Sequence, residues 1–156
     1  MDARQAVDTM VVYLGQNGLK MTAQRRTVTE VFYDPDLRGA HPTVEELYIK
    51  VREADSRIGY ATVYRTLKLL TECGLASARR FGDNQTRYEP TSPDDHHDHL
   101  VCSKCGAILE FEDAEIEKLQ DVIAARFGFS LTDHKMVLFG EPINGNCETT
   151  CNKSEH

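Results

Sequence analysis

Residues 61–89 read ATVYRTLKLLTECGLASARRFGDNQTRYE, a helix-spaced apolar stripe followed by two short strands around a turn. From Ala61 to Cys73, the residues Val63, Thr66, Leu67 and Leu70 recur at the spacing that gathers side chains on one face of a helix. The opposite face then carries Tyr64, Arg65 and Lys68, and Gly74 closes the helix. Ala76–Phe81 and Thr86–Glu89 read as strands, with Gly82-Asp83-Asn84-Gln85 as the turn between them. The hairpin carries Arg79, Arg80 and Arg87.

Upstream lie three further helical segments. Val7, Met10, Val11 and Leu14 form an amphipathic stripe that Asn17-Gly18 ends. A second helix is predicted from near Thr22, burying Val28, Val31 and Phe32, and Asp34-Pro35-Asp36 stops it. Thr43-Val44-Glu45-Glu46 is a capping box, after which Val44, Leu47, Tyr48 and Val51 keep helical spacing. Short helices ahead of a basic hairpin describe a winged helix-turn-helix whose helix 61–73 enters the major groove of DNA. Tyr64, Arg65 and Lys68 could equally form an ordinary solvated face. A tyrosine beside an arginine just before a basic hairpin favours DNA, and Lys20, Arg25 and Arg26 add candidates for phosphate contact.

Beyond Thr91 the pattern changes. The polar run 91–95 reads as a hinge between a first domain, 1–90, and a second, 96–151, with 152–156 as a tail that includes His156. In the second domain, His99–Val101, Ala107–Phe111 and Lys135–Phe139 read as strands. A helix is predicted over Ala114–Phe127, with Ile116, Leu119 and Ile123 inward. The fold class expected is α+β, a winged helix plus a small α/β unit of marginal size for a core of its own.

Charge divides the chain at the same place. The net charge of −7 argues at first against nucleic acid, but residues 1–90 sum to +1 and residues 91–156 to −8. The acidic half is the one rich in metal-ligand residue types. With 40% hydrophobic and 28% charged residues the composition is that of a soluble globular chain. The start, MDARQAVDTM, has neither a basic n-region nor an apolar h-region, and no apolar run is long enough to span a membrane. A cytoplasmic protein with reduced thiols and no membrane partner is expected.

Residues 95–105, DHHDHLVCSKC, hold three histidines, two aspartates and a C-x-x-C pair. Cys102 and Cys105 with Cys147 and Cys151 make a four-thiolate set suited to tetrahedral zinc, and Gly106 permits a tight knuckle after the first pair. A redox C-x-x-C is the alternative, which two pairs in one small domain disfavour. Cys73, alone at a helix end, reads as a packing residue. Alternation along an extended chain sends His97 and His99 one way and His96 and Asp98 the other, so one strand serves two separate sites. Each must recruit further ligands, with Glu89, Glu110, Glu117, His134 and His41 as candidates. A solvated polar loop is the bland reading of the same run.

GLKMTAQR (18–25), HPTVEELY (41–48), ATVYRTL (61–67), HHDHLVCSKCG (96–106) and the LTDH run ending at His134 together resemble the ferric uptake regulator family of metal-responsive repressors over nearly the whole chain. That resemblance implies a winged-helix domain and a dimerisation domain, acting as a homodimer on a palindromic DNA operator. It implies a regulatory site between the domains at His41, Glu89, His97, His99 and Glu110, and a second site inside the dimerisation domain at His96, Asp98, Glu117 and His134. Cys102, Cys105, Cys147 and Cys151 match the structural zinc site of those members that have one.

Glu110, where peroxide-sensing relatives typically carry aspartate, and the lack of a cysteine among the regulatory ligands resemble the iron-sensing branch. Fe²⁺ is therefore the regulatory metal expected, with Mn²⁺ or Zn²⁺ as surrogates for a nitrogen and oxygen donor set. Peroxide-sensing and zinc- or manganese-sensing members are the alternatives within the family. Two rivals come from outside it. A zinc hydrolase would use a carboxylate base beside His97 and His99, but no H-E-x-x-H or H-x-H-x-D-H pattern occurs and ATVYRTL has no role in it. A metal-storage protein would need no recognition helix. The expectation is a regulator and not an enzyme.

Overall fold

In the computed structural model, which describes residues 1–37, 39–91 and 97–152, the chain divides into two units, 1–95 and 96–156. The first opens with α1 (Ala3–Gln16), capped by a reciprocal pair in which Asp2 Oδ1 accepts from the Gln5 N–H and the Gln5 side chain accepts from that of Asp2. It buries Ala6, Val7, Met10 and Leu14; Val11, expected inward, sits on the flank at 41% exposure, and Ala6 takes its place. α2 (Ala23–Phe32), capped by Thr22, buries Val28, Thr29 and Phe32, with Val31 only half covered. Thr29 can be buried because its hydroxyl donates to the Arg25 carbonyl one turn back.

α3 (Val44–Ala54) starts at the capping box read from the sequence: Thr43 Oγ1 accepts from Glu46 N–H at 3.2 Å and Glu46 Oε2 accepts from Thr43 N–H at 2.8 Å. α4 (Tyr60–Glu72) turns Val63, Thr66, Leu67 and Leu70 into the core, as its spacing predicts. Val63, Leu67 and Leu70 join Met10, Leu14, Phe32, Leu47, Val51 and Ile58 in one apolar cluster. β1 (Ala76–Arg80) and β2 (Thr86–Pro90) form the antiparallel wing, with Ser77 opposite Glu89 and Arg79 opposite Arg87. Asn84 takes a left-handed φ of 59° in its turn, a conformation asparagine tolerates. Helices and wing together make the expected winged helix.

The second unit is a three-stranded sheet with order β4-β3-β5, built from β3 (Asp98–Cys102), β4 (Ile108–Phe111) and β5 (Val137–Gly140). β3 runs antiparallel to β4 and parallel to β5. The chain crosses from one edge to the other through α5 (Ala114–Arg126), and a short α6 (Cys147–Thr150) follows the sheet. α5 departs from its expected packing. No residue of it is buried, and Leu119 and Ile123, read as inward, are 55% and 44% exposed. A three-stranded sheet has too little surface to cover a thirteen-residue helix, so periodicity marks the apolar face without marking what covers it. The α+β class holds in both units. No helix among the described residues is long and apolar enough to cross a membrane.

Candidate functional site

The four-cysteine cluster is assembled from the turn after β3 and from α6. Cys102 ends β3, its N–H donates to the Ala107 carbonyl at 2.9 Å, and Gly106, at φ 77°, turns the chain back so that its own N–H reaches the Cys102 carbonyl at 2.8 Å. Lys104 Nζ donates to the Gly145 carbonyl at 2.8 Å and so fastens this knuckle to the loop that leads into α6. The four Sγ atoms come within 4.8 Å of one another, with Cys102 and Cys147 at 3.9 Å. Sulfurs about 2.3 Å from a tetrahedral zinc stand about 3.8 Å apart, whereas a disulfide requires about 2.05 Å. The Cys105 and Lys104 N–H groups draw the Cys102 thiol down to about 7. Burial, then the neighbouring Cys102 and Cys105 sulfurs, pushes Cys151 up to about 12, and burial likewise raises Cys147. Cys147 and Cys151 thus resist ionising beside Cys102, and the donor set fits zinc, whose charge would stabilise the thiolates.

In the first unit the residues before α3 lie alongside β2. Tyr88 N–H donates to the Pro42 carbonyl at 2.9 Å and Thr43 bridges Arg87, which sets His41 beside Glu89. His41 Nε2 is 3.0 Å from Glu89 Oε2, with both residues buried. His41 Nδ1 meets the Gly39 carbonyl at 2.9 Å, a bond that assigns the proton to Nδ1 and leaves Nε2 as the donor atom for a cation. The residue holds a left-handed φ of 44°, strained for a side chain of this size, which three contacts offset: the Gly39 bond, the Phe81 ring edge-on at 5.4 Å, and Arg87 Nη1 on the His41 carbonyl at 3.2 Å.

The wing's charge is mostly committed inside this unit. Arg79 Nε pairs with Glu89 Oε1 at 2.6 Å, and Arg87 pairs with Asp83 at 2.9 Å and Glu46 at 3.3 Å. Arg80 is exposed and has no ion pair among the described residues. Charge counting along the hairpin missed these roles of Arg79 and Arg87, because formal charge carries no record of its partner.

In the second unit β3 presents two faces. His99 lies opposite Glu110 in the β3–β4 register, His97 Nε2 is 3.8 Å from Glu110 Oε1, and the His97 and His99 rings meet at 5.0 Å. On the other face Asp98, 2% exposed, has Oδ1 at 3.5 Å from His134 Nε2, which is also 3.3 Å from Glu117 Oε1 in the first turn of α5. His96, assigned to this second cluster, lies outside the described residues, as does the tail histidine His156. Buried Asp98 Oδ1 has no hydrogen-bond donor among the described residues, and neither has Gln120 Oε1, one turn beyond Glu117 on the same helix face. Nitrogen and carboxylate donors gathered in this way fit a divalent first-row metal. Gln120 drew no attention in the sequence because a lone glutamine on a helix has no metal-ligand spacing.

The remaining candidates lie on the exposed side of α4 and in the loop between α1 and α2. Tyr64 is 43% exposed, Arg65 and Lys68 are exposed, and Arg65 Nε folds back onto the Ala61 carbonyl at 3.1 Å. Lys20 is exposed, and its carbonyl accepts from Arg25 Nη1 at 2.6 Å, which ties the loop to α2. The sequence reading passed over Tyr60. Its hydroxyl donates to Glu45 Oε1 at 2.8 Å and its ring meets Tyr48 at 5.7 Å, so it clasps the start of α4 to α3 where the cap residue Gly59 offers no side chain.

The ferric uptake regulator family model matches residues 16–139. A ferric uptake regulation protein of Rhizobium leguminosarum bv. viciae is 43% identical over 128 residues, which cover 82% of this chain and 87% of that one. A zinc-bound manganese uptake regulator of solved structure is 41% identical, covering 86% of this chain and 99% of its own, with a TM-score of 0.64. The Helicobacter pylori ferric uptake regulator, a protein with three functional metal binding sites, is 29% identical, covers 100% of this chain and 97% of its own, and reaches a TM-score of 0.81. With its winged helix, its thiolate cluster and its histidine–carboxylate clusters, this chain belongs to the ferric uptake regulator family.

Proposed function

We propose that the protein is a metal-dependent, DNA-binding repressor of metal-homeostasis genes, acting as a homodimer on a palindromic operator in the cytoplasm. The observation that carries this reading is the distribution of donors. His41 and Glu89 belong to the winged helix, whereas His97, His99 and Glu110 belong to the second unit. These five side chains would hold a divalent cation, whose positive charge would tie residues of both units together. The five side chains then fix the hinge, taken as 91–95, and with it the spacing of two α4 helices in a dimer. Without that tie the operator-competent geometry is one of many, and DNA affinity falls by the fraction of time it is populated.

Each remaining residue has its own part. Cys102, Cys105, Cys147 and Cys151 hold structural zinc. Tyr64 and Arg65 read base edges, and Lys68 and Lys20 bind phosphate. Asp98, Glu117, His134 and His96 form a second site within the dimerisation domain 96–151. No catalytic role is assigned.

Fe²⁺ is the regulatory metal in this reading, supported by the nitrogen and oxygen donors and by Glu110. The manganese reading is favoured by the 41% identity to a manganese uptake regulator. An anaerobic operator titration against Fe²⁺ and Mn²⁺ tests both. Wild type binds in response to metal, His97→Ala and Glu110→Ala lose the response while keeping zinc, and Asp98→Asn is milder because its site lies within one unit. A normal response in His97→Ala with failure in Asp98→Asn reverses the two roles. A half-point at lower Mn²⁺ than Fe²⁺ selects the manganese reading.

A further inference from the structure

Glu89 has two carboxylate oxygens, and each faces a different partner. Oε2 points at His41 Nε2 at 3.0 Å, while Oε1 takes Arg79 Nε at 2.6 Å. The strand register explains the second contact. Ser77 is opposite Glu89, so Arg79, two residues further along β1, is its diagonal neighbour on the same face of the wing. Arg87, directly opposite Arg79, would repel it were its own guanidinium not engaged by Asp83 and Glu46. The Arg79 and Glu89 side chains are only 17% and 8% exposed, so solvent screens this pair weakly. The guanidinium charge is therefore felt at the other oxygen as well.

We propose that Arg79 is the resident counter-cation of Glu89 and sets the metal threshold of the regulatory site. The proposal rests on the reading of His41 and Glu89 as ligands of the regulatory metal. A divalent cation at Glu89 Oε2 is held against a positive charge already bound to the same carboxylate. Removing that charge acts twice, with one sign. It takes the guanidinium charge away from a buried carboxylate in the metal-free protein, which raises the free energy of that state, and it relieves repulsion in the loaded one. Both effects tighten metal binding. A merely structural Arg79 predicts the opposite, because loss of the group that orients Glu89 would loosen a ligand.

The test uses the zinc-loaded full chain, with Mn²⁺ as the probe and affinity read by chelator competition. The competition starts from Mn²⁺-loaded protein, so a stable metal-free fold is not required of any variant. Arg79→Gln should bind Mn²⁺ about tenfold tighter than wild type. Its operator-binding half-point should shift to lower Mn²⁺ by a similar factor. Arg79→Lys keeps the charge and should stay within about threefold of wild type. Unchanged or weaker Mn²⁺ binding in Arg79→Gln overturns the counter-cation role, as does equal tightening in Arg79→Lys. His41→Ala separates this proposal from the reading beneath it. If that variant binds Mn²⁺ as wild type does, the ligand assignment itself fails and the threshold role falls with it.

Discussion

Cys102 and Cys151 share one cluster, yet the Cys102 thiol is drawn down to about 7 and that of Cys151 is pushed up to about 12. The difference is local. Two backbone N–H groups of the knuckle point at Cys102, while Cys151 is desolvated among other sulfurs. Cys102 is thus the thiol more readily ionised before metal arrives, whereas Cys147 and Cys151 are raised and are drawn to thiolate by a cation. Cys102→Ser should remove about one zinc per subunit and destabilise the second unit, since zinc bound in so small a fold is folding energy. Cys73→Ser is the control: its half-buried thiol contacts the Leu70 carbonyl in the other unit, and its loss should leave zinc unchanged. Elemental analysis and a thermal melt decide the matter, and full zinc content in Cys102→Ser would sink the four-thiolate assignment. His41 shows where residue-level reading stops. Its left-handed φ is invisible in a sequence because nothing about histidine announces it, and the three contacts that sustain it come from residues 2 to 46 positions away.

At the level of the element, legibility followed locality. The inward face of α4 could be read from spacing because its core partners, α1 to α3, lie in the same chain and the same unit. The capping box of α3 could be read because all its atoms lie within four residues. α6 could not, since four residues are too few for a period to show. The wing was legible as a hairpin but not as a charge distribution, because Arg79 and Arg87 find carboxylates up to 41 residues away. α4 is accordingly expected to carry the sequence-reading role, with the wing contributing less charge than its arginines suggest. Arg65→Ala should weaken operator binding by roughly 1–3 kcal/mol and relax base preference at one position. Lys20→Ala should weaken binding to all sequences and flatten the salt dependence instead. Quantitative gel shifts at several salt concentrations distinguish them, and wild-type binding by both would place the groove-reading residues elsewhere.

Over the whole molecule, the second unit leaves its largest apolar residues uncovered. Phe127, Phe129 and Phe139 are 77%, 72% and 57% exposed, Ile143 is fully exposed, and Leu119 and Ile123 lie along α5. A unit that also carries most of the chain's net negative charge has no reason to display such a surface to water. A second copy of the chain is the partner expected to cover it, in keeping with the two-fold operator proposed above. If so, part of the folding free energy of this unit is association free energy, and α5 lacks a buried residue only in the isolated chain. Leu119→Glu combined with Ile123→Glu should then act on association. Each replaced side chain forfeits about 1.5–3 kcal/mol of burial. The pair should therefore raise the dimer dissociation constant by roughly 10²–10⁴-fold. Sedimentation velocity across a protein dilution series reads this directly, and zinc content checks that the cysteine cluster survives. The monomer so produced should keep wild-type Mn²⁺ binding at the regulatory site proposed above, because all five proposed ligands, His41, Glu89, His97, His99 and Glu110, belong to one chain. It should nonetheless lose cooperative binding to a palindrome, which requires two α4 helices held at a fixed spacing. An unshifted dimer would show that another surface carries the association, and metal binding lost together with the dimer would make the regulatory site a property of the pair.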